Sequence, residues 1–255
     1  MLIVQPASRA WAVDPSGAAV GLSSGTRQES VAPSTNTVSA AAGWVTLSTS
    51  LVFYDESGTL AQEIGLSAWT EEVKEGTFRR QSLRGEASRD GKFAWSWEKT
   101  QISTSRRTDR PTELSRLLRF WGTDGQELWR SEKADGPGDL NPAAISIHGE
   151  RIVVLERQGN AWSAVAYDFI GSRLVEAAGP APPELLQISP RGHFAVVRWH
   201  AVDRPPVYTL LDIDSRVSRT VPISRASLAA PQVTDDGKLF LGDALVFDSA
   251  VPLGR

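Results

Sequence analysis

The 255-residue chain contains no cysteine, one methionine and three histidines. Without cysteine there is no disulfide, no thiol nucleophile and no thiolate metal site. The histidines, His148, His193 and His200, form no closely spaced pair, and neither a His-Glu-x-x-His motif nor an EF-hand loop occurs. No metal and no cofactor are therefore expected. No run approaches the roughly 20 apolar residues of a membrane-spanning helix, so no membrane partner is expected either. The opening residues, MLIVQPASRA, lack the charged start and the apolar core of about 7–15 residues of a signal peptide. The cytoplasm is then the default compartment, and the periplasm or the exterior follows only if an export signal has been removed. An excess of positive charge is also missing. Lys and Arg number 27 against 30 Asp and Glu, a net charge of −3, which argues against a nucleic-acid partner.

What the chain does have is a phrase that recurs five times. Each copy is an apolar run, a polar turn ending in glycine and a second run of β-formers: VSAAAGWVTLS, GEASRDGKFAWSW, AISIHGERIVVL, LQISPRGHFAVVRW and PQVTDDGKLFLG. The turn glycines Gly43, Gly91, Gly149, Gly192 and Gly237 are 48, 58, 43 and 45 residues apart. Periods of roughly 40–50 residues, each holding four strands, are those of propeller blades. A third run ends alike in each unit, at Asp55, Gly122, Asp168, Asp214 and Asp248, and is usually followed by a tight turn and a fourth run, as at Glu56-Ser57-Gly58 and Thr123-Asp124-Gly125. The repeated aspartates suit the bonding of turn amides. Each unit parses as strand A, glycine turn, strand B, variable loop, strand C, turn and strand D.

The expected fold is all-β: a β-propeller of four-stranded antiparallel blades, five in number, with six as the alternative. Blades are expected near residues 38–66, 84–134, 141–178, 184–224 and 231–255. Residues 1–37 form an N-terminal hairpin and loop expected to close the ring, with RAWAVDPSGAAVGL as the hairpin; residues 38–255 form the propeller. Closure by an N-terminal strand removes the exposed sheet edges that invite aggregation.

Two segments carry a family resemblance. ISPRGHFAVVRW, Ile188 to Trp199, resembles the A–B junction of WD40-like repeats, and LRFWGTDGQELWR resembles the C–D hairpin of the same superfamily and of quinoprotein-like propellers. The Gly-His and Trp-Asp dipeptides of true WD40 repeats are missing from the places where those repeats carry them, and their Asp-His-Ser-Trp tetrad is not seen. The resemblance implies a protein-binding scaffold, with enzymes a minority.

Seven of the nine tryptophans, Trp44, Trp95, Trp97, Trp121, Trp129, Trp162 and Trp199, fall in expected strands, where large rings fill the space between twisted sheets. Trp69 falls in an expected loop and is the one read as functional. The A–B and C–D turns are uniformly short. The added length sits in D–A links and B–C loops, which share the opposite face of a propeller: LSAWTEEVKEGTFRRQSLRGE, TQISTSRRTDRPTELS, ADGPGDLNP, AGPAPPE and HAVDRPPV. Long loops on a rigid scaffold are where binding groups concentrate. Within the first of them, Ser67, Glu71, Glu72 and Gly76 are the start and stop signals of a short helix that would present Trp69.

Arg106, Arg107 and Arg110, with Arg116 and Arg119 beside them, and Arg79, Arg80 and Arg84 in the neighbouring link, are expected to make a basic patch on that face. Guanidinium forks grip carboxylate or phosphate bidentately. Asp109, Glu113 and Glu86 would offset part of the charge. Gly21-Leu22-Ser23-Ser24-Gly25 matches G-x-S-x-G but lacks the strand–elbow–helix context that the hydrolase mechanism needs. A glycosidase would place paired carboxylates on the inner A strands; only Glu86, Glu184, Asp235 and Asp236 lie near those strands.

The expected function is non-catalytic: a binding or scaffold module that engages a protein through its B–C/D–A face. Trp69, Arg79, Arg80, Arg106, Arg107, Arg110, His200 and Arg204 are its expected contact residues. The alternatives are a carbohydrate-active propeller, hydrolase or lectin-like, which would take a sugar or another small ligand, and a structural subunit of a larger assembly.

Overall fold

The structure is a computed structural model. It describes residues 9–13, 19–22, 44–47, 50–55, 57–66, 70–74, 77–104, 113–200, 205–221, 223 and 230–250. The chain divides into two compact units, Met1–Glu132 and Lys133–Arg255. Among the described residues each unit is a series of antiparallel sheets, and one 3-10 turn at Thr123–Gly125 is its only helical element. The protein is all-β, built from propeller-type antiparallel blades.

In the first unit, β1 (Arg9–Val13) pairs with β2 (Ala19–Leu22) as the N-terminal hairpin. Strands β3 (Trp44–Leu47), β4 (Ser50–Tyr54) and β5 (Leu60–Gly65) form a three-stranded meander. The next sheet has five strands in the order β10-β9-β8-β7-β6: β6 (Thr70–Lys74), β7 (Thr77–Ala87), β8 (Ala94–Ser103), β9 (Glu113–Trp121) and β10 (Glu127–Ser131).

This sheet corrects the sequence reading twice. Thr70–Lys74 is not a helix but a strand, pairing with β7 from Thr70 opposite Gln81 to Lys74 opposite Thr77. Capping signals around a four-turn-or-shorter segment are worth little beside the backbone hydrogen bonds offered by an adjacent strand edge. The link expected to hold Arg79, Arg80 and Arg84 is likewise strand. At 11 residues, β7 is the longest strand described and spans about 36 Å. Strands β8 and β9 extend with it, Phe78 lying opposite Ser103 and Ile102 opposite Glu113. Much of the expected loop length is thus sheet that continues past the buried half of the blade.

The second unit holds two four-stranded meanders and a three-stranded one. The first is β11 (Ala143–Ile145), β12 (Arg151–Gln158), β13 (Ala161–Asp168) and β14 (Arg173–Gly179). The second is β15 (Pro183–Ile188), β16 (Phe194–Trp199), β17 (Val207–Asp212) and β18 (Val217–Val221). The third is β19 (Pro231–Val233), β20 (Lys238–Leu241) and β21 (Ala244–Asp248).

Middle strands are buried on consecutive residues: Ala94 to Trp97, Ile152 to Glu156 and Ala195 to Val197. Continuous burial means that both faces of these strands are covered, as stacked sheets require. Trp95, Trp97 and Trp199 are fully buried, and Trp121 and Trp162 nearly so. Their ring N–H groups find acceptors: Trp121 Nε1 donates to Ser96 Oγ at 2.9 Å and Trp199 Nε1 to Thr209 Oγ1 at 2.9 Å. An indole is tolerated at this depth because its one polar group is satisfied.

The glycine turns share a design. Gly91, Gly149, Gly192 and Gly237 have φ of 70°, 70°, 81° and 75°, a region closed to most side chains. Three residues before each glycine stands a hydroxyl: Ser88, Ser146, Ser189 or Thr234. Each accepts the glycine N–H on its carbonyl oxygen. Its hydroxyl oxygen accepts a second N–H, from Phe93, Arg151, Phe194 and Lys238, at 3.0 to 3.2 Å. The hydroxyl completes the turn where strand pairing stops.

At the C–D turns, Asp55 Oδ1 accepts the amides of Ser57 and Thr59, Asp168 Oδ1 those of Ile170 and Ser172, and Asp248 Oδ1 that of Ala250. The Ser57 hydroxyl is the largest cause holding the Asp55 carboxyl below its ordinary pKa. In the fourth repeat the aspartate in this role is Asp212, which accepts the Ser215 amide, and not Asp214. The turn there is one residue longer and puts Arg216 at φ 58°, the one left-handed non-glycine residue described. Arg216→Gly is expected to raise stability by up to about 1 kcal/mol in urea unfolding, because it removes that strain. Arg216→Val is expected to lower it.

Candidate functional site

The two ends of the second unit differ in construction. At one end the short turns are tied together: Ile147 N–H donates to the Pro190 carbonyl at 2.8 Å, and Arg191 N–H to Asp235 Oδ1 at 2.8 Å. His193 Nδ1 meets Asp214 Oδ2, joining an A–B turn to a C–D turn. Asp236 is held by Lys238 and the Thr234 hydroxyl, in that order, and its carboxyl lies below its ordinary pKa for that reason. These contacts explain why the turns stay short. Asp235 and Asp236 are engaged within the turns.

At the other end the longer links converge. An open groove of about 700 Å3 is lined by Pro137, Asp139, Leu140, Pro182, Glu184 and His200, with Gly138 and Pro183. Its members come from the links before β11 and β15 and from the start of the loop after β16. Three of the segments expected on one face therefore do meet, and His200 is one of the expected contact residues.

The local chain explains each wall. Lys133 to Asp135 pairs with β12: Arg157 N–H donates to the Lys133 carbonyl at 2.9 Å and Asp135 N–H to the Leu155 carbonyl at 2.9 Å. The chain then leaves the sheet and rejoins it at Pro142, whose carbonyl accepts the Leu155 N–H at 2.7 Å. The excursion between closes through Leu140 N–H to the Pro137 carbonyl, with Gly138 at φ 57°. At its neck, a Cβ on Gly136 would lie 2.1 Å from the Leu140 carbonyl oxygen, so only glycine fits. Asp135, 1% exposed at its side chain, lies 3.6 Å from Arg157 Nη1.

The second wall is Pro182-Pro183-Glu184, pinned by His200 N–H donating to the Pro182 carbonyl at 2.8 Å. Glu184 uses both carboxylate oxygens. Oε1 meets His200 Nδ1, and Oε2 lies 3.1 Å from Arg198 Nε, off the line of a hydrogen bond, so that this second hold is electrostatic. With Nδ1 engaged, His200 has Nε2 to offer a ligand. The groove thus combines proline rings and Leu140 with an imidazole held by a carboxylate.

In the first unit, Arg79 and Arg80 are consecutive on β7 and so lie on opposite faces of the sheet. Arg79 is exposed and Arg80 half-buried. By register, Arg80, Arg84, Lys99 and Arg116 share one face of β7, β8 and β9. Arg84 and Lys99 lie over the Trp97 ring, 5.7 and 5.6 Å from its centroid. Arg119 pairs with Glu127 at 3.4 Å. Trp69, Arg106, Arg107, Arg110 and Arg204 lie outside the described residues, as does Ser23.

Glu86, on the same face of β7, accepts the Trp95 ring N–H at 3.2 Å. Burial pushes its carboxyl from 4.5 up to about 7, the Trp95 bond offsetting part of the rise. Tyr167 is similarly perturbed: burial, then its 2.6 Å bond to Glu156, raises its phenol far above the ordinary value. Among the described residues no group of three or more His, Asp or Glu side chains could hold a metal ion, and no helix is long and apolar enough to cross a membrane.

No family model and no curated protein matches the chain. Among solved structures it is similar to TolB from Acinetobacter baumannii, with 13% identity and a TM-score of 0.39 over 80% of this chain and 46% of that one. It is similar to a candidate 6-phosphogluconolactonase from Bacteroides fragilis NCTC 9343, with 14% identity and a TM-score of 0.38 over 78% of this chain and 59% of that one. It is also similar to an oligogalacturonate lyase in complex with manganese, with 9% identity and a TM-score of 0.31 over 78% of this chain and 69% of that one. The chain thus spans about half the length of the first two.

Proposed function

We propose that this protein is a non-catalytic binding module that engages a protein partner through its B–C/D–A loop end. The observation that carries the reading is the groove of about 700 Å3 made where two D–A links and one B–C loop meet. Its lining of proline and leucine would take an apolar stretch of extended chain, and the Glu184-held His200 would bond the chain's backbone. Arg106, Arg107 and Arg110, in the first unit, are a separate element of the proposal and would offer charge-assisted contacts to acidic side chains. The partner test uses the tagged full chain expressed in its source cells. Pro182→Arg places a charged stem in the groove, and the Arg106→Ala/Arg107→Ala/Arg110→Ala triple removes the forks. Both variants are expected to keep the melting temperature and lose a stoichiometric co-purifying protein; recovery of the same protein by both overturns the reading.

A second reading, a carbohydrate-active propeller, is favoured by one observation. A carboxyl titrating at about 7 on an A strand, as Glu86 does, has the property of a general acid. It expects turnover of aryl glycosides that Glu86→Gln abolishes.

A further inference from the structure

The groove of the second unit is rich in hydrogen-bond acceptors and poor in donors. Three of its lining residues are prolines, Pro137, Pro182 and Pro183, which have no N–H to donate. Two further N–H groups are spent within the chain: Leu140 donates to the Pro137 carbonyl at 3.1 Å and His200 to the Pro182 carbonyl at 2.8 Å. The polar side chains of the lining are Asp139, Glu184 and His200. Two are carboxylates, which when ionised accept and do not donate. The third is set as an acceptor by its neighbour. Glu184 Oε1 takes the bond from His200 Nδ1, which places the ring hydrogen there. In the neutral ring Nε2 then carries the lone pair, on a side chain that is half-exposed. Glu184 Oε2 keeps acceptor capacity as well, because its contact with Arg198 Nε is off the line of a hydrogen bond.

The occupant therefore has to bring the donors. An acidic or phosphorylated segment would set its charge against Asp139 and Glu184, with no side-chain donor in the lining to meet it. A wholly apolar segment would cover the acceptors and leave them without a hydrogen bond. A lysine or arginine suits both halves of the lining. Its aliphatic stem matches proline rings and Leu140, and its charged head is a set of donors for carboxylate and imidazole. Arg198 offsets the charge of Glu184, so the selection comes from the hydrogen-bond inventory more than from net charge at the groove. The net charge of the whole chain, −3, favours the approach of a basic partner.

We infer that the groove selects a basic segment of its partner, in which one lysine or arginine lays its stem against Pro137, Leu140 and Pro182 and gives its charged head to Glu184, Asp139 and Nε2 of His200. The volume of about 700 Å3 leaves room for apolar residues on either side of that side chain. The inference rests on the proposal that this groove seats a protein, and adds the chemistry of the segment that enters it.

The test pans the immobilised full chain against a random heptapeptide library and titrates the most enriched peptide by fluorescence anisotropy. The expected peptides carry a lysine or arginine beside apolar residues. Norleucine in its place keeps the stem and removes the charge, and is expected to lower affinity by about tenfold or more. Asp139→Lys and His200→Phe are each expected to lower it comparably at an unchanged melting temperature, and Pro182→Arg to abolish it. His200→Gln, which can present an amide acceptor in place of Nε2, is expected to keep most of it. The inference is overturned if no peptide is enriched, if the enriched peptides are acidic or uncharged, or if the norleucine peptide or both the Asp139→Lys and His200→Phe variants bind as wild type does. Displacement of the peptide by an equal concentration of spermidine also overturns it, since the ligand would then be a small polyamine. If Pro182→Arg loses the co-purifying protein while the enriched peptides carry no cation, this inference fails and the proposed function stands. If Pro182→Arg retains that protein, the groove is not its seat, whatever peptides are enriched.

Discussion

Gly179→Ala is expected to destabilise the second unit by about 3 kcal/mol, and to cost almost nothing once Trp199 has been replaced by alanine. Gly179 ends strand β14 opposite Trp162 on β13. A Cβ at this position would lie 2.2 and 2.3 Å from Cζ3 and Cε3 of the Trp199 ring, well inside van der Waals contact. The ring has nowhere to retreat. Trp199 is 0% exposed, belongs to a cluster with Leu155, Trp162, Val175 and Leu211, and donates its N–H to Thr209 Oγ1 at 2.9 Å. Moving it would break that bond and disturb neighbours packed at interior density. Trp199→Ala alone is expected to cost about 4 kcal/mol, from lost burial and an unfilled cavity. In the double variant the alanine methyl occupies part of that cavity, so the two losses are far from additive. Urea unfolding of the four proteins gives the coupling energy; simple additivity would show that the β14–β16 contact does not constrain the core in this way. At the scale of a 100–150-residue unit, Gly179→Ala alone corresponds to a fall of about 10 °C in Tm.

This pair also shows what a sequence reading could reach. The tryptophans were recognisable as core because they recur in β-forming runs of alternating pattern, and Trp95, Trp97, Trp121, Trp162 and Trp199 are buried. The glycine phrase was recognisable because a turn with positive φ leaves glycine little competition, and its four described copies all have φ near 70–80°. Gly179 carries no such mark. Its role comes from a ring 20 residues further along the chain, on another sheet, and no local pattern encodes that approach. A hydroxyl stands three residues before four of the five turn glycines, at Ser88, Ser146, Ser189 and Thr234, and nothing local to the sequence tells that it accepts a second N–H.

Misreadings arose where two local signals competed. Ser67, Glu71, Glu72 and Gly76 are helix punctuation, yet Thr70–Lys74 is a strand, because β7 supplies a continuous row of backbone partners. Asp212 and Asp214 both suit a strand end, and only the hydrogen bond to Ser215 tells that Asp212 is the turn residue. The assignment of long links and short turns to opposite ends holds within the second unit, where the short turns bond one another and Pro137, Pro182 and His200 meet in one groove. The groove itself was not legible, since it depends on a Gly136 neck and on a three-residue pairing of Lys133 to Asp135 too short to register as a strand.

Glu86→Gln is expected to stabilise the protein at pH 8 by about 2–3 kcal/mol and to leave it unchanged, or slightly weaker, at pH 4.5. The Glu86 carboxyl rises from 4.5 to about 7 because burial disfavours the charged form more than the Trp95 N–H favours it. Between those two values the folded chain holds a proton that the unfolded chain has released. Stability is therefore fully present below about pH 4.5, falls as pH rises, and reaches its lower plateau above about pH 7. A glutamine stays neutral throughout and can still accept from the Trp95 ring N–H through Oε1, so the variant lacks this slope. Urea midpoints for the first unit at pH 5, 6, 7 and 8 give the two curves; parallel curves would show that Glu86 ionises at its ordinary value. The same four samples separate the two functional readings. If Glu86 is a buried structural carboxyl, the substitution strengthens the fold above pH 7 and leaves partner binding at the loop end unchanged. If it is a general acid, that gain in stability comes with loss of glycoside turnover, because the proton that burial keeps on the carboxyl is the one the reaction consumes.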